Sequence, residues 1–452
     1  MFLRQVLGMK LYNYRIGLVL LLFVAANAVA EQPPNIILIL TDDQGWNNTQ
    51  VRMIEGRADT RSDFYQTPHM QRLADAGMTF SQAYAPHPVC SPSRHSIQFG
   101  MSPAKLKKTT NQGANFPEFI PSPSIPQVLK SAFPQYKAAH FGKWHMYGHP
   151  AERGYDASDG RTNNRTGRQL TTDQTKFWPH ADPKRSESIT DDSIQFIRHQ
   201  AVAGNPFYLQ ISHYFIHLSA EAKPATLEKH KQREPGKVHT AYWYAAMLED
   251  LDNSIGRVLD TVEELDLGAT TYIVFTSDNG GTARQYPGFN KPLRAGKGSY
   301  YEGGIRVPFF AVGPGIEAGS YSKIPIVGYD LLPTFAGLAG SSKPLPEELE
   351  GGSFNSVLMN KGHGSVTRSR NGIYFSRQID AVLIQEDLKL IRTHKSGEVQ
   401  LYNLAKDLSE ENDLSQRQPE TTERMHNVLK AWMGANDVMT PSPHSPRGRR
   451  AQ

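Results

Sequence analysis

The sequence contains a single cysteine, Cys90, among 452 residues. One cysteine cannot form a disulfide within the chain, so the fold does not depend on disulfide bridges. In an exported protein, a lone cysteine favours a chemical role over a structural one. The structural alternative is a buried thiol that packs as a small apolar side chain. The residues after it, Ser91-Pro92-Ser93-Arg94, form a poor core segment and favour the chemical role.

Long apolar runs are lacking beyond the first thirty residues. Three basic residues precede an apolar run at 16–26, and Ala28-Val29-Ala30 is a small-residue cleavage site. This pattern predicts a secretory signal peptide over residues 1–30. The run is shorter than the ~20 residues that a membrane span needs, so an uncleaved anchor is the less favoured alternative. We therefore expect a periplasmic or secreted protein without a stable membrane span.

The chain has little excess charge outside its two ends. The formal net charge is +5, but basic residues in the signal peptide and in the tail over residues 439–452 account for that excess. The remaining body is near neutral, so we expect no nucleic-acid partner. The tail is rich in Pro, Ser and Arg and is predicted to be disordered. The chain also lacks the Gly-x-x-x-x-Gly-Lys-Ser/Thr pattern of a nucleotide-binding loop.

Buried strands alternate with amphipathic helices over most of the chain. The apolar run at 35–40 predicts a strand buried on both faces, and 137–141, 206–212 and 271–275 predict further strands. Helices are predicted from about Thr67 to Ala76 and across the apolar positions 248–262, the second ending at Gly268. The alternation predicts an α/β fold, with a mainly parallel sheet sandwiched by helices, over residues 31–345.

The pattern changes in the last quarter of the chain. Strand-like stretches around 372–376, 381–384, 388–392 and 399–404 follow one another without intervening helices, and a helix is predicted near 419–432. This order predicts a small C-terminal subdomain over residues 346–438, built from an antiparallel sheet and one helix.

Acidic clusters follow two of the predicted strands. Asp42 and Asp43 end the first, and Asp278 and Asn279 end the strand at 271–275. Ligands of parallel sheets bind beyond the carboxyl ends of the strands. Carboxylate and amide oxygens suit Ca²⁺ or Mg²⁺ and are poor ligands for zinc or copper. The pairs therefore predict one hard-cation site, although Asp42-Asp43 alone could equally form a strand-end turn.

Five separated segments resemble the sulfatase family, the formylglycine-dependent type I enzymes of the alkaline-phosphatase-like superfamily. They are Asn35 to Asp43, Cys90 to Gly100, Gly142 to His145, His213 to His217, and Asp278 to Pro308. The resemblance implies that Cys90 is oxidised to formylglycine (3-oxoalanine) by a formylglycine-generating or anaerobic sulfatase-maturing enzyme. Phe99 departs from the family, which usually has Thr or a similar small residue at this position.

The same resemblance implies the roles of the site residues. Asp42, Asp43, Asp278, Asn279 and an oxygen of modified residue 90 would bind Ca²⁺, or Mg²⁺. One hydroxyl of the hydrated aldehyde would attack sulfur, and the other would expel the sulfate. The remaining roles belong to basic residues: Arg94 and Lys143 orient the hydrate, Lys297 and His217 contact the leaving oxygen with His217 as general acid, and His145 acts as base.

Substrate contacts are predicted less directly. His213 stands four residues before His217, which could suggest a zinc pair, but a strand precedes them and separates such positions. We interpret His213 as structural or substrate-facing. Arginines in loops around the site are candidate contacts for anionic sugars, or plain solvated side chains: Arg57, Arg61, Arg153, Arg161, Arg165 and Arg284.

The predicted function is hydrolysis of sulfate esters on a carbohydrate, such as oligosaccharides from sulfated polysaccharides. One alternative is a phosphodiester or phosphonate-ester hydrolase of the same superfamily, although phosphatases of that superfamily typically use two zinc ions and a Ser or Thr nucleophile. A second alternative is a non-catalytic protein that binds sulfated glycans. The oxidation state of residue 90 separates catalysis from binding.

Overall fold

The structure is a computed structural model that describes residues 32–111, 120, 122–168, 177–282, 289–377, 380–393 and 396–438. The predicted signal peptide, the predicted disordered tail and Arg284 lie outside these described residues. Within them, no helix combines the length and the apolar character needed to cross a bilayer.

The described ranges contain sixteen strands and ten α-helices. The strands are β1 (Asn35–Thr41), β2 (Met78–Phe80), β3 (Ala83–Tyr84), β4 (Lys137–Gly142), β5 (Ala157–Ser158), β6 (Phe177–Pro179), β7 (Phe207–Ser212), β8 (Ala220–Ala222), β9 (Thr271–Ser277), β10 (Phe309–Val312), β11 (Ser320–Ser322), β12 (Ile326–Val327), β13 (Ile373–Ser376), β14 (Asp380–Gln385), β15 (Leu388–Thr393) and β16 (Val399–Asn403). The helices are α1 (Pro68–Ala76), α2 (Cys90–Phe99), α3 (Ile125–Ala132), α4 (Ser186–Ala203), α5 (Pro224–Lys231), α6 (Tyr242–Glu264), α7 (Glu302–Ile305), α8 (Leu331–Leu338), α9 (Asn355–Leu358) and α10 (Pro419–Ala435).

An eight-stranded sheet forms the centre of the fold, in the order β11-β2-β10-β9-β1-β7-β4-β5. Strands β9, β1, β7, β4 and β5 run parallel, and β10 is antiparallel to β9. The predicted mainly parallel α/β sheet is therefore confirmed. Helix α6 ends at Glu264 rather than at Gly268, and a turn of 3₁₀ helix over Gly268–Thr270 then leads into β9.

Each face of this sheet has its own hydrophobic core. Alternate side chains of β1 point to opposite faces, and all seven of its residues are buried. Ile37 and Ile39 pack with apolar residues of α1, α4, α5 and α6. Ile36, Leu38 and Leu40 pack with residues of α2, α3 and α8. Burial on both faces explains why the strand is a continuous apolar run.

The C-terminal strands form a separate antiparallel sheet in the order β13-β14-β15-β16. Met425, Leu429 and Trp432 of α10 are buried against one face of this sheet. The antiparallel sheet with one helix is as predicted. The boundary between residues 345 and 346 stays a prediction.

Candidate active site

Four neighbouring parallel strands end at the same edge of the sheet and supply most of the predicted site residues. Asp42 and Asp43 follow β1, and Asp278 follows β9. Lys143 follows β4, where the Lys143 amide donates to the Ser212 carbonyl 2.7 Å away. The order β9-β1-β7-β4 thus brings together segments that are far apart in sequence.

Glycine is required where β4 turns toward the site. Gly142 has a φ of 97°, in the region that favours glycine. A Cβ at this position would lie 2.0 Å from the Ser212 carbonyl oxygen. The close passage of the two backbones at Gly142 fixes the direction of the segment that carries Lys143 and His145.

Cys90 is the first residue of α2 and is completely buried. Its Sγ lies 3.3 Å from Asp42 Oδ1 and 3.8 Å from Asp43 Oδ1. Burial, followed by the charges of Asp278 and Asp42, raises the pKa of the thiol well above its usual range. The unmodified side chain is therefore a neutral thiol at physiological pH and a weak nucleophile.

Each acidic side chain is paired with a basic one. Lys143 Nζ donates to Asp42 Oδ2, and both groups are fully buried. Arg94 Nε donates to Asp278 Oδ2 over 2.8 Å.

Lys297 supplies the third cation of the site. Its Nζ lies 2.6 Å from Asp43 Oδ1, 2.7 Å from Asp43 Oδ2 and 3.5 Å from Cys90 Sγ. Cys90 thus lies among three carboxylates and three cations.

Three of the five predicted metal ligands, Asp42, Asp43 and Cys90, converge, and Asp278 and Asn279 each form a hydrogen bond with Asp43. Oxygens of Asp42 and Asp43 lie within 4.8 Å of each other, of Cys90 Sγ and of a His217 ring nitrogen. Asn279 Nδ2 donates to Asp43 Oδ1 over 2.8 Å and to the Gly280 carbonyl. Asn279 Oδ1 is buried and has no hydrogen-bond partner. An unpaired buried oxygen is costly unless a ligand satisfies it, so this atom fits a cation ligand.

The closeness of the carboxylates also favours the binding of a cation. Burial and then repulsion from Asp42 raise the pKa of Asp278 to about 6. Burial would also raise the pKa of Asp42, but the charge of Lys143 and of the other basic neighbours holds it well below its usual range. A hard divalent cation among these oxygens would relieve the repulsion that Asp278 experiences.

Two of the three predicted histidines face the site. Nε2 of His217 lies 3.9 Å from Asp43 Oδ2, and its Nδ1–H donates to the Leu218 carbonyl 2.5 Å away. Burial and then the Lys297 charge lower the pKa of His217 to about 4. This imidazole is therefore neutral at physiological pH.

His145 is held in place by its backbone. Its φ is 52°, and its amide donates to the Thr162 carbonyl over 2.8 Å. Thr162 Oγ1 also accepts from the Trp144 amide and donates to the Gly142 carbonyl. Burial and then the Lys143 charge lower the pKa of His145 to about 2, so its ring is also neutral.

His213 lies deeper in the fold. It is 1% exposed, and its amide donates to the Leu40 carbonyl, which joins β7 to β1 beyond their last paired residues. Burial lowers the pKa of its ring to about 4. This placement fits the structural interpretation of His213 better than the substrate-facing one.

A cavity of about 570 Å³ opens beside His145. The candidate arginines differ in whether they line this cavity. Arg161 and Arg165 line it. Arg61 lines a different cavity, and Arg57 is exposed and paired with Asp59. Arg153 is buried, with its guanidinium over the Phe99 ring and donating to the Ile120 carbonyl, so it belongs to the core.

Sequence reasoning missed two groups beside the site. Lys108 and Asn111 line the same cavity, and no motif marks them. Thr162 holds the His145 backbone from the segment of the candidate Arg161 and Arg165, but it was not itself predicted. Helix α2 was also not predicted, although Gly100, at a φ of 63°, is a recognisable helix-ending residue.

The chain matches the model of the Sulfatase family over residues 34–341. It is 26% identical to a sulfatase of Formosa agariphila, over 91% of this chain and 90% of that protein. It is 30% identical to N-acetylgalactosamine-6-sulfatase of Sus scrofa, over 71% of this chain and 65% of the porcine protein. The structure of Ps i-CgsB in complex with k-i-k-neocarrahexaose superposes with a TM-score of 0.76 at 26% identity, covering 92% of this chain and 96% of that one.

The family match spans more than half of the chain, and it contains the whole set of predicted site residues. The protein belongs to the sulfatase family. It is a sulfatase, an enzyme that hydrolyses sulfate esters.

Proposed function

We propose that this sulfatase removes a sulfate group from a carbohydrate, with residue 90 as a formylglycine nucleophile and one hard divalent cation, Ca²⁺ or Mg²⁺. The observation that carries the proposal is the position of Cys90. Its Sγ lies within 4 Å of carboxylate oxygens of Asp42 and Asp43 and of Lys297 Nζ. This position brings a group on residue 90 next to both the candidate cation ligands and a fixed cation.

Modification of Cys90 is supported by its surroundings. The thiol is buried among carboxylates, which disfavour the thiolate that a cysteine nucleophile needs. The hydrate of formylglycine supplies one hydroxyl for attack on sulfur and a second for release of the sulfate. Arg94 and Lys143 keep their positive charges next to residue 90 because Asp278 and Asp42 fix them there.

The cation would be held by Asp42, Asp43, Asp278 and Asn279. When bound, it lowers the pKa of an attacking hydroxyl and offsets negative charge on the sulfate. The unsatisfied Asn279 Oδ1 supports a ligand role for this residue. Lys297 contacts Asp43 and lies near Cys90, so it is placed to contact the anionic ester as well.

The two neutral histidines have separate expected roles. His145 carries no proton on at least one ring nitrogen, so it can accept the proton that is lost from residue 90. His217 Nδ1–H donates its hydrogen bond to the Leu218 carbonyl, and Nε2 therefore faces the site. An anionic sulfate ester beside Nε2 would raise the pKa of His217, and the protonated ring could then donate to the leaving oxygen.

A carbohydrate substrate is supported by the relatives and by the cavity. The porcine relative is named for a sulfated amino sugar, and Ps i-CgsB was solved with an oligosaccharide. The cavity beside His145 is rich in Asn, Thr and Arg side chains, which can hydrogen-bond sugar hydroxyls. The predicted signal peptide favours a periplasmic or secreted enzyme that acts on extracellular glycans.

The test combines one mass measurement with one activity measurement on the mature protein. The peptide that carries residue 90 should have the mass of the aldehyde or its hydrate. Purified protein should release sulfate from 4-nitrophenyl sulfate and from members of a panel of sulfated sugars. An intact thiol in active protein would refute the formylglycine nucleophile. Efficient cleavage of phosphodiesters without cleavage of sulfate esters would support the superfamily alternative instead.

A further inference from the structure

The cavity beside His145 is strongly cationic. Three of its lining residues carry a positive charge: Lys108, Arg161 and Arg165. Among its described lining residues none carries a carboxylate. The other polar side chains that line it are neutral. A pocket lined by three cationic side chains and by no described carboxylate attracts anions.

These cations are additional to those that surround residue 90. Lys143, Arg94 and Lys297 are each within hydrogen-bond distance of a site carboxylate. The cavity group is separate from them because its lining includes Ser91 and His145 but none of those three. A single sulfate positioned at residue 90 therefore does not account for the cavity cations.

The three cavity cations are held differently. Arg161 and Arg165 are exposed and lie on the segment that contains Thr162. Lys108 is 2% exposed, and its Nζ lies 4.7 Å from the centroid of the Tyr147 ring. Burial lowers the pKa of Lys108 to about 8, which still leaves it largely protonated at neutral pH. The charge of Lys108 adds to the attraction that the two arginines exert on an anion in the cavity.

The cavity is also continuous with the reaction centre. Ser91 follows the nucleophile directly, and the Ser91 amide donates to Asn111 Oδ1 over 3.1 Å. His145 lines the cavity and also belongs to the proposed catalytic group. The part of the substrate that remains after sulfate removal would therefore extend toward Lys108, Arg161 and Arg165.

We propose that this cavity binds a second anionic group of the substrate, a sulfate or a carboxylate, so that the enzyme prefers carbohydrates with another negative charge near the scissile sulfate. The proposal rests on the proposed function and specifies its substrate class. Charge-assisted hydrogen bonds from the two guanidinium groups would bind the second anion, and Lys108 would add its charge from the cavity wall.

Direct binding provides the test, with the Cys90→Ala variant of the full mature chain so that no substrate is consumed. The probes are N-acetylhexosamine 6-sulfate, its 3,6- and 4,6-disulfated counterparts, and a 6-sulfated disaccharide that contains a uronate. We expect at least one doubly anionic probe to bind about tenfold more tightly than the monosulfate in calorimetry. The disulfates and the uronate distinguish the two sources of the second charge. Equal affinity across the panel would overturn the proposal.

Variants locate the effect. Arg161→Gln with Arg165→Gln should abolish the preference, and Lys108→Gln should reduce it. The matched control is Arg57→Gln with Arg61→Gln, which removes the same net charge from exposed arginines outside the cavity. The control should keep the preference, and thermal unfolding checks that each variant is folded. A preference that survives the Arg161/Arg165 change, or that disappears equally in the control, contradicts a specific site.

A separate assay tests the proposed function independently of the cavity. The mature wild-type enzyme is assayed with 4-nitrophenyl sulfate, which carries no second anion. Loss of the preference with normal cleavage of this ester would refute only the cavity proposal. A retained preference in a mature protein that cleaves no sulfate ester would refute the proposed function and leave an anion-binding cavity.

Discussion

A buried ion cluster joins the C-terminal sheet to the segment that carries Lys297, and its central lysine provides a quantitative test. Lys389 on β15 is fully buried, and its Nζ lies 2.7 Å from Glu302 Oε1 and 2.9 Å from Glu410 Oε1. Burial alone would lower the pKa of Lys389, but the two carboxylates outweigh it and raise the pKa. Arg306 also contacts Glu302, at 3.1 Å. Glu302 belongs to the motif segment that follows Lys297.

The Lys389→Met change removes the cation that the two carboxylates share. Arg306 still pairs with Glu302. Among the described residues, the Glu410 carboxylate then keeps only the hydrogen bond from the Glu302 amide, 2.7 Å long. Breaking a buried ion pair by removing one partner costs about 3–5 kcal/mol. For roughly 400 folded residues, an unfolding entropy of about 2.1 cal/mol/K per residue converts this cost into a fall in Tm of about 4–6 °C.

Differential scanning calorimetry of the holoenzyme measures the fall in Tm. Two further variants show whether the loss of the buried ion pair causes it. Lys406→Met removes an exposed lysine near the same sheet and should change the Tm by less than about 1 °C. Adding Glu410→Gln to Lys389→Met removes the uncompensated carboxylate and should restore part of the lost stability. A Lys389→Met protein that unfolds at the same temperature as Lys406→Met would refute this reasoning.

The remaining predictions concern the chemistry. Cys90→Ala should lower kcat at least about 10³-fold with little change in Tm, and full activity in this variant would exclude residue 90 as nucleophile. A chelator should inactivate the enzyme, Ca²⁺ or Mg²⁺ should restore it, and Asp278→Asn should weaken cation affinity at least about tenfold by titration calorimetry; rescue by zinc alone would favour the phosphatase alternative. His217→Ala should lose about 10²–10⁴-fold activity on sugar sulfates but less on aryl sulfates with good leaving groups, because these need less protonation. His145→Ala should lose activity equally on both substrate types, and an equal leaving-group dependence in the two variants would show that the acid and base roles are wrongly assigned.

Much of the fold could be predicted because its signals are local. The run at 35–40 is apolar at every position, as a strand covered on both faces requires, and it forms β1. The periodic apolar positions of 248–262 lie within α6. The four C-terminal strands follow one another without helices, which predicted their antiparallel sheet. Element ends were less certain, as the end of α6 shows, because fraying and local turns decide them.

Site residues within motifs could also be predicted, but their partners could not. Lys143, Arg94 and Lys297 pair with Asp42, Asp278 and Asp43 across 101, 184 and 254 residues of chain. No local pattern specifies which cation meets which carboxylate. The order β9-β1-β7-β4 places Asp278, Asp42 and Lys143 at one edge of the sheet. The packing of α2 and of the segment after β9 then brings Arg94 and Lys297 to the carboxylates.

The sequence alone therefore determined the strand and helix pattern, the hard-cation ligand types and the motif around Cys90. Each of these depends on neighbouring residues or on a contiguous motif. The tertiary structure alone brought Lys108, Arg161 and Arg165 to one cavity and buried Lys389 between two carboxylates. Lys108 is far in sequence from the segment of Arg161 and Arg165, and Lys389 is far from Glu302. Only the packing of the whole chain sets the distances on which their electrostatics depend.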